Sequence, residues 1–198
     1  LLDIDDLNYF KQTLDSSAKP SLDSDLSDIS LLLSTSLPPL FLTTKKTRQD
    51  VGTIGLLYLE TMLINKGLTD IVKFTALRPR PYVWSEDFSA DQIINSNDRA
   101  SFFSGHTSNT AAASFFFARV FSDYFPKSRL KPYVWGVAAT LPALTGYLRI
   151  RARKHYPTDI ITGYIVGGFI GYIIPTLHKR PINQLKLKVS SNLNGFSL

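Results

Sequence analysis

At 198 residues, 44% of them hydrophobic, the chain is long enough for one domain with its own core. It contains no cysteine, which excludes disulfides, thiolate catalysis and Cys-based zinc sites. The net charge of +6 is unevenly placed: residues 1–44 carry seven acids and two bases, and residues 45–198 carry nine acids and twenty bases. A basic body suits an anionic partner such as nucleic acid, an anionic membrane or a phosphorylated substrate, and it also serves solubility.

Taken in chain order, residues 1–46 read as an acidic lead-in segment with short helices packed on the core, the first around Leu1–Leu14. The run "ISLLLSTSLPPLFLT" is apolar, but Pro38-Pro39 keeps it from forming one long helix. Residues 47–77 have apolar side chains at helical spacing, and Arg78-Pro79-Arg80-Pro81 ends that helix. Residues 82–100 hold turn formers and charges without periodicity, so they read as a long loop, a feature that in compact domains is usually functional. Helices are expected at 104–124, 132–150 and 157–177, stopped by Phe125-Pro126 and opened by Pro157. The stretch 181–198 is a tail whose partial alternation resembles a strand without a partner. With 47–180 as the functional unit, the sum is an all-α helical bundle.

Two charge-free stretches, 132–148 and 160–177, sit at the lower edge of membrane-spanning length. Gly163, Gly167 and Gly171 recur every four residues and allow a neighbouring helix close approach. A buried core helix explains the same features. Because the other helices carry charges, a soluble or peripherally attached protein is favoured over an integral one. Opening at Leu1 and lacking Cys are both compatible with a processed, exported protein.

Three clusters can carry chemistry. Lys73 stands seven residues before Arg80-Pro81, at the end of a helix, where the macrodipole alone also favours a cation. "SFFSGHTS" puts Ser104, Gly105 and His106 where a helix begins, and the unpaired N–H groups of a first turn bind anions. Ser104 could equally be a plain N-cap and His106 a surface histidine. The third cluster, "YLRIRARKHYPTDIITG", crowds Arg149, Arg151, Arg153 and Lys154 against His155, with Asp159 four residues on. A carboxylate in the first turn can reach back to one imidazole nitrogen and leave the other as nucleophile or base. Four cations beside a histidine depress its pKa and repel one another, which is tolerable when a dianion is to sit among them. A solvated basic loop accounts for Arg151, Arg153 and Lys154. His178, next to Lys179-Arg180, suits a helix-end cap. Nothing in the set makes a convincing Mg²⁺ or Zn²⁺ site. Many donors, two histidines and no metal point to phosphoryl transfer through a phosphohistidine.

In order and internal spacing, Lys73 with Arg80-Pro81, then Ser104-Gly105-His106, then Arg149 with His155 and Asp159 resemble the three signature motifs of the type 2 phosphatidic acid phosphatase family. That family shares its fold with bacterial acid phosphatases and vanadium haloperoxidases. The resemblance implies that His155 attacks phosphorus, Asp159 orients it, and His106 protonates the leaving alkoxide and later activates water. It implies that Lys73, Arg80, Arg149 and the N–H groups of Ser104 and Gly105 hold the phosphate oxygens, with Arg78, Arg151, Arg153 and Lys154 outside that shell, where they attract anionic substrates or a lipid surface. No cofactor is implied, and vanadate is expected as an inhibitor. The implied partner is a phosphorylated lipid or a small phosphomonoester, with an anionic membrane surface as a further candidate and no nucleic acid. Phosphatidic acid, phosphatidylglycerol phosphate, isoprenyl pyrophosphate and a lipid A phosphate are candidates. The implied location is periplasmic or otherwise extracytoplasmic. Phe103 stands where the family usually has Pro, and Leu148 where it usually has Ser. A haloperoxidase, or an inactive binder of phosphate or lipid head groups, would keep the same cage. Tyr82, Trp84 and Phe88 could line an apolar entrance or pack in the core.

Overall fold

The computed structural model describes residues 19–84 and 96–178. Among these residues there is no strand, as the all-α expectation requires. Six α-helices follow in order: α1 (Pro20–Thr35), α2 (Lys45–Arg48), α3 (Val51–Ala76), α4 (Gly105–Tyr124), α5 (Lys131–Arg151) and α6 (Pro157–Leu177). Short 3₁₀ turns occupy Pro38–Thr43, Pro81–Trp84 and Ser96–Arg99. The Leu1–Leu14 helix, the 181–198 tail and Phe88 lie outside the described residues.

The last three helices begin and end where their punctuation demands. Ser104 caps α4 by accepting from Thr107 N–H. Pro132 and Pro157 stand in the first turns of α5 and α6, where a missing N–H costs nothing. Leu77 ends α3 in the left-handed conformation at φ 44°, and the prolines that follow prevent its continuation. His178 sits at the C-cap of α6, with Nδ1 3.0 Å from the Ile174 carbonyl oxygen.

Helix α4 is the central element; α1, α3, α5 and α6 all pack on it. Its small residues Ala111, Ala112 and Ala113 are fully buried, so neighbouring backbones come close. The closest approach is along the glycine stripe of α6. A Cβ at Gly163, Gly167 or Gly171 would stand 2.6, 2.1 or 2.3 Å from the carbonyl oxygens of Ser104, Ser108 and Ala112. Side chains cannot fit there, so the stripe sets how α6 sits on α4. A compact apolar cluster of Phe41, Ile54, Phe116 and Val120 fills the far part of the bundle.

Much of the interior that α1 and α3 face is polar. On α1 the buried stripe is Asp23, Ser27, Ser30 and Ser34; on α3, beyond Ile54, it is Thr61, Asn65 and Thr69. These side chains pair with polar groups of neighbouring helices or with the backbone. Ser30 Oγ lies 2.7 Å from Thr145 Oγ1, and Ser108 donates to Asn65 at 2.7 Å. The large apolar side chains instead point outward: Leu56 and Phe74 of α3 are 70% and 82% exposed, with Leu32, Leu33, Ile161, Ile165 and Phe169 also on the surface. This reverses the arrangement of a water-facing helix. Helix α6, with a mean hydropathy of 1.7, is long and apolar enough to cross a membrane. The preference for a soluble chain finds no support in this surface. Counting charges along a helix missed it because the polar groups here satisfy each other inside the bundle.

Candidate active site

The three clusters meet at one end of the bundle. Motif three comes from the turn after α5 and the first turn of α6. His155 is 1% exposed, and its Nδ1 lies 3.5 Å from Asp159 Oδ2. The two groups face one another without a hydrogen bond: Nδ1 has no hydrogen-bond partner. Burial, then the charges of Arg80 and Arg149, press the His155 pKa down to about 3, against the pull of Asp159. The imidazole is therefore neutral at ordinary pH, as a nucleophile must be. The cations responsible are Arg80 and Arg149, and not Arg151, Arg153 and Lys154 that crowd it in sequence.

Asp159 is fully buried and held by three groups besides His155. Arg78 Nη1 donates to Oδ1 at 2.6 Å, and Ser101 Oγ and the Tyr156 N–H donate to Oδ2 at 2.5 and 3.0 Å. Arg78 also donates to Thr158 Oγ1 and stacks over the Tyr156 ring at 4.2 Å. This corrects the expected role of Arg78: its guanidinium is committed to Asp159 and is not a free attractor of anions. Ser101 was not singled out in the sequence, because only the fold brings it to α6.

Motif two lies against motif three. Ser104 N–H donates to the Asp159 carbonyl at 3.0 Å, which ties the start of α4 to the start of α6. A Cβ at Gly105 would stand 3.3 Å from Lys73 Nζ, so the ammonium sits over the first turn of α4 where a larger residue would crowd it. Phe103 and Leu148, the two departures from the family pattern, are both buried, and Phe103 packs beside Gly163.

Arg149, 5% exposed, turns Nη1 towards Ser27 Oγ and Ser24 Oγ at 3.3 and 3.5 Å; its buried Nε has no partner. Arg80 donates through Nε to the Asn97 carbonyl, and its backbone N–H donates to Asp98. Arg80 and Arg149 act electrostatically on Lys73 and on His155, and Lys73 and Arg149 act on His106, which links the five into one site. His106 places Nε2 2.7 Å from Asp28 Oδ1. The residues outside the cage are also placed. Arg151 pairs with buried Asp23 of α1, Lys154 lies over the Tyr82 ring, and the Tyr82 N–H donates to the Arg153 carbonyl. Trp84 is half exposed. Ser24, Ser27 and Asp28 come from the segment expected to be a lead-in. Their signal was a polar stripe at helical spacing, which apolar periodicity does not register. Among the described residues, no three His, Asp or Glu side chains gather to ligate a metal.

The arrangement is a buried neutral histidine backed by a fixed carboxylate, with Arg80 and Arg149 acting on it and Lys73 beside them, at one end of a helical bundle. Residues 54–182 match the PAP2 superfamily, and the chain belongs to that family. It is 26% identical over 132 residues to a lipid A 4'-phosphatase of Porphyromonas gingivalis, a match covering 66% of this chain. The chain spans about half the length of that curated relative, 52%. Two crystal structures share its fold. One is the first transmembrane PAP2 type phosphatidylglycerolphosphate phosphatase from Bacillus subtilis, at TM-score 0.61 and 21% identity, covering 88% of this chain and 84% of that one. The other is Aquifex aeolicus LpxE, at TM-score 0.56 and 24% identity, covering 86% and 94%.

Proposed function

We propose that this chain is a metal-independent lipid-phosphate phosphatase that works through a phosphohistidine on His155. The observation that carries the proposal is the convergence of buried His155, its fixed Asp159 and the cations Lys73, Arg80 and Arg149 in one site. With Nδ1 turned to Asp159, Nε2 of His155 attacks phosphorus and the P–O ester bond breaks. His106 gives its proton to the leaving alkoxide. Water then attacks the P–N bond, His106 takes the water's proton, and inorganic phosphate leaves with His155 restored. Lys73, Arg80, Arg149 and the first-turn N–H groups of α4 hold the equatorial oxygens, where charge builds up. The unpartnered Nε of Arg149 is a donor suited to one of them.

The substrate is a phosphorylated lipid, and the body is bilayer-embedded with its site on the extracytoplasmic side. The outward apolar faces of α1, α3 and α6, the polar interior and the glycine stripe support the first two points. The relatives point to candidates such as phosphatidylglycerolphosphate and the 4'-phosphate of lipid A.

The test is phosphate release by detergent-purified protein in EDTA, with and without vanadate. Substrates are p-nitrophenyl phosphate, short-chain phosphatidic acid, a lipid A phosphate and an isoprenyl diphosphate. Turnover in EDTA that vanadate blocks supports the proposal. Turnover that requires added metal contradicts it.

A further inference from the structure

The contact between Asp28 and His106 lies outside everything the family motifs supply, since Asp28 precedes the family-matched region that begins at residue 54. Helix α1 turns its polar stripe inward, and Asp28 stands at the exposed edge of that stripe, against His106 and Arg149. Its Oδ1 lies 2.7 Å from His106 Nε2 and 3.7 Å from Arg149 Nη1. It therefore sits between the proposed acid and a proposed phosphate-holding guanidinium. The neighbouring turn of α1 adds Ser24 and Ser27 to the same arginine. The Asp28 side chain is 56% exposed, so packing of the bundle does not require it.

The charged and titratable groups around the His106 ring come from each helix packed on α4. Asp28 is on α1, Lys73 on α3 and Arg149 on α5; from the α6 side come His155 and Asp159, which face one another and, through Asp159, Arg78. Burial, then Arg149 and Lys73, oppose a positive imidazole, and Asp28 works against all three. Asp159 is already engaged by Arg78, Ser101 and the Tyr156 N–H. Asp28 is thus the carboxylate available to favour the imidazolium.

We infer that Asp28 is a positioning and specificity residue: it orients His106 and favours the proton that an alkoxide leaving group takes from it, and it disfavours a leaving oxygen that belongs to a second phosphate. This rests on the phosphatase reading. With Nε2–H directed to Asp28, the proton for the leaving oxygen resides on Nδ1. The imidazolium releases it as the P–O bond breaks, and neutral His106 recovers one from the attacking water. An alkoxide needs that proton because its conjugate acid is weak. The leaving group of a diphosphate is itself a phosphate anion, needs little protonation, and meets the Asp28 carboxylate as a like charge. Asp28 therefore tilts the enzyme towards phosphomonoesters of lipid alcohols and away from diphosphates.

The test is D28N, which keeps shape and removes charge. kcat/KM is measured across pH on short-chain phosphatidic acid, p-nitrophenyl phosphate and farnesyl diphosphate. The expected result is a loss of about 10-fold or more on phosphatidic acid, and a much smaller loss on p-nitrophenyl phosphate. The ratio of diphosphate to monoester turnover should rise, and the basic limb for phosphatidic acid should move down by about 1 pH unit. A second readout does not need turnover. The chain has three histidines, so ¹⁵N-histidine NMR with H106A for assignment follows the His106 ring directly, and its midpoint in D28N should fall by about 1 unit. Equal losses on all three substrates with an unmoved midpoint would reduce Asp28 to a tether for α1 and overturn the inference. Equal gains on all three would make it a plug, and overturn it as well. Wild-type protein inactive on every substrate removes the phosphatase reading, whereas the His106 midpoint still decides the pairing.

Discussion

Substituting Gly167 by Ala tests whether the glycine stripe of α6 sets the geometry of the site. The added Cβ would stand 2.1 Å from the Ser108 carbonyl oxygen and 2.8 Å from its C and Cα atoms, where real Cβ contacts essentially never fall below 3.0 Å. All three atoms are backbone, so no side chain can rotate away. The helices must part by about 1 Å, and overpacking of that kind costs about 1–3 kcal/mol. The upper end applies because α4 is fixed by four neighbours. Alanine returns about 1 kcal/mol of helix propensity, which leaves a net loss of about 2 kcal/mol. For a chain of this size that lowers Tm by roughly 4–8 °C. Gly67 is the control: it lies on exposed α3 with nothing within 4 Å of its Cβ position, so G67A should gain about 1 kcal/mol and raise Tm by roughly 2–4 °C. Thermal unfolding of the three proteins in one detergent reads the opposite signs. Activity follows, because parting α4 from α6 disturbs the Ser104–Asp159 tie, and a displacement near 1 Å can cost about 10²-fold in kcat. If G167A melts at or above the wild-type temperature, the close-approach argument is wrong.

Three further expectations follow from the site. Replacing Arg78 by Gln removes the 2.6 Å contact to buried Asp159 and leaves that charge under-satisfied. kcat should fall about 10-fold or more while KM changes little, and steady-state kinetics separate the two. The depressed His155 pKa has a stability consequence. Between about 3 and the ordinary histidine value, the unfolded chain binds a proton that the folded chain does not, so stability is full above that window and is lost as pH falls through it. H155Q should flatten this acid slope in denaturant titrations, and an unchanged slope would refute the assignment. Finally, H106A should slow phosphatidic acid far more than p-nitrophenyl phosphate, since nitrophenolate needs less protonation to leave; equal losses would contradict an acid role.

The legible parts of the fold were those with local punctuation. Ser104, Pro126, Pro132 and Pro157 bound α4, α5 and α6 to within a residue or two of their observed limits, because caps and proline act through the nearest backbone. Helix α1 was not legible. Its inward stripe of Asp23, Ser27, Ser30 and Ser34 is polar and its outward face is leucine-rich, so a search for an inward apolar face reads it backwards. The same inversion hid the membrane-like surface of α3. At the site, the motif residues were legible because each carries its spacing within one short segment. The contacts of Arg78 and Ser101 with Asp159, and of Asp28 with His106, were not. They join residues 58–81 positions apart, and only the bundle supplies those distances.

The most direct test of the central claim is to trap the phosphoenzyme. Wild type, H106A and H155A are mixed with ³²P-labelled p-nitrophenyl phosphate, whose leaving group does not need the His106 proton, in EDTA, quenched in alkali within milliseconds, and digested for peptide mapping. The account predicts an alkali-stable, acid-labile label on the peptide containing His155. It should build up in H106A, where water attack is slowed, and be absent in H155A. Steady turnover by wild type with no label on His155, or label retained in H155A, would contradict the phosphohistidine mechanism.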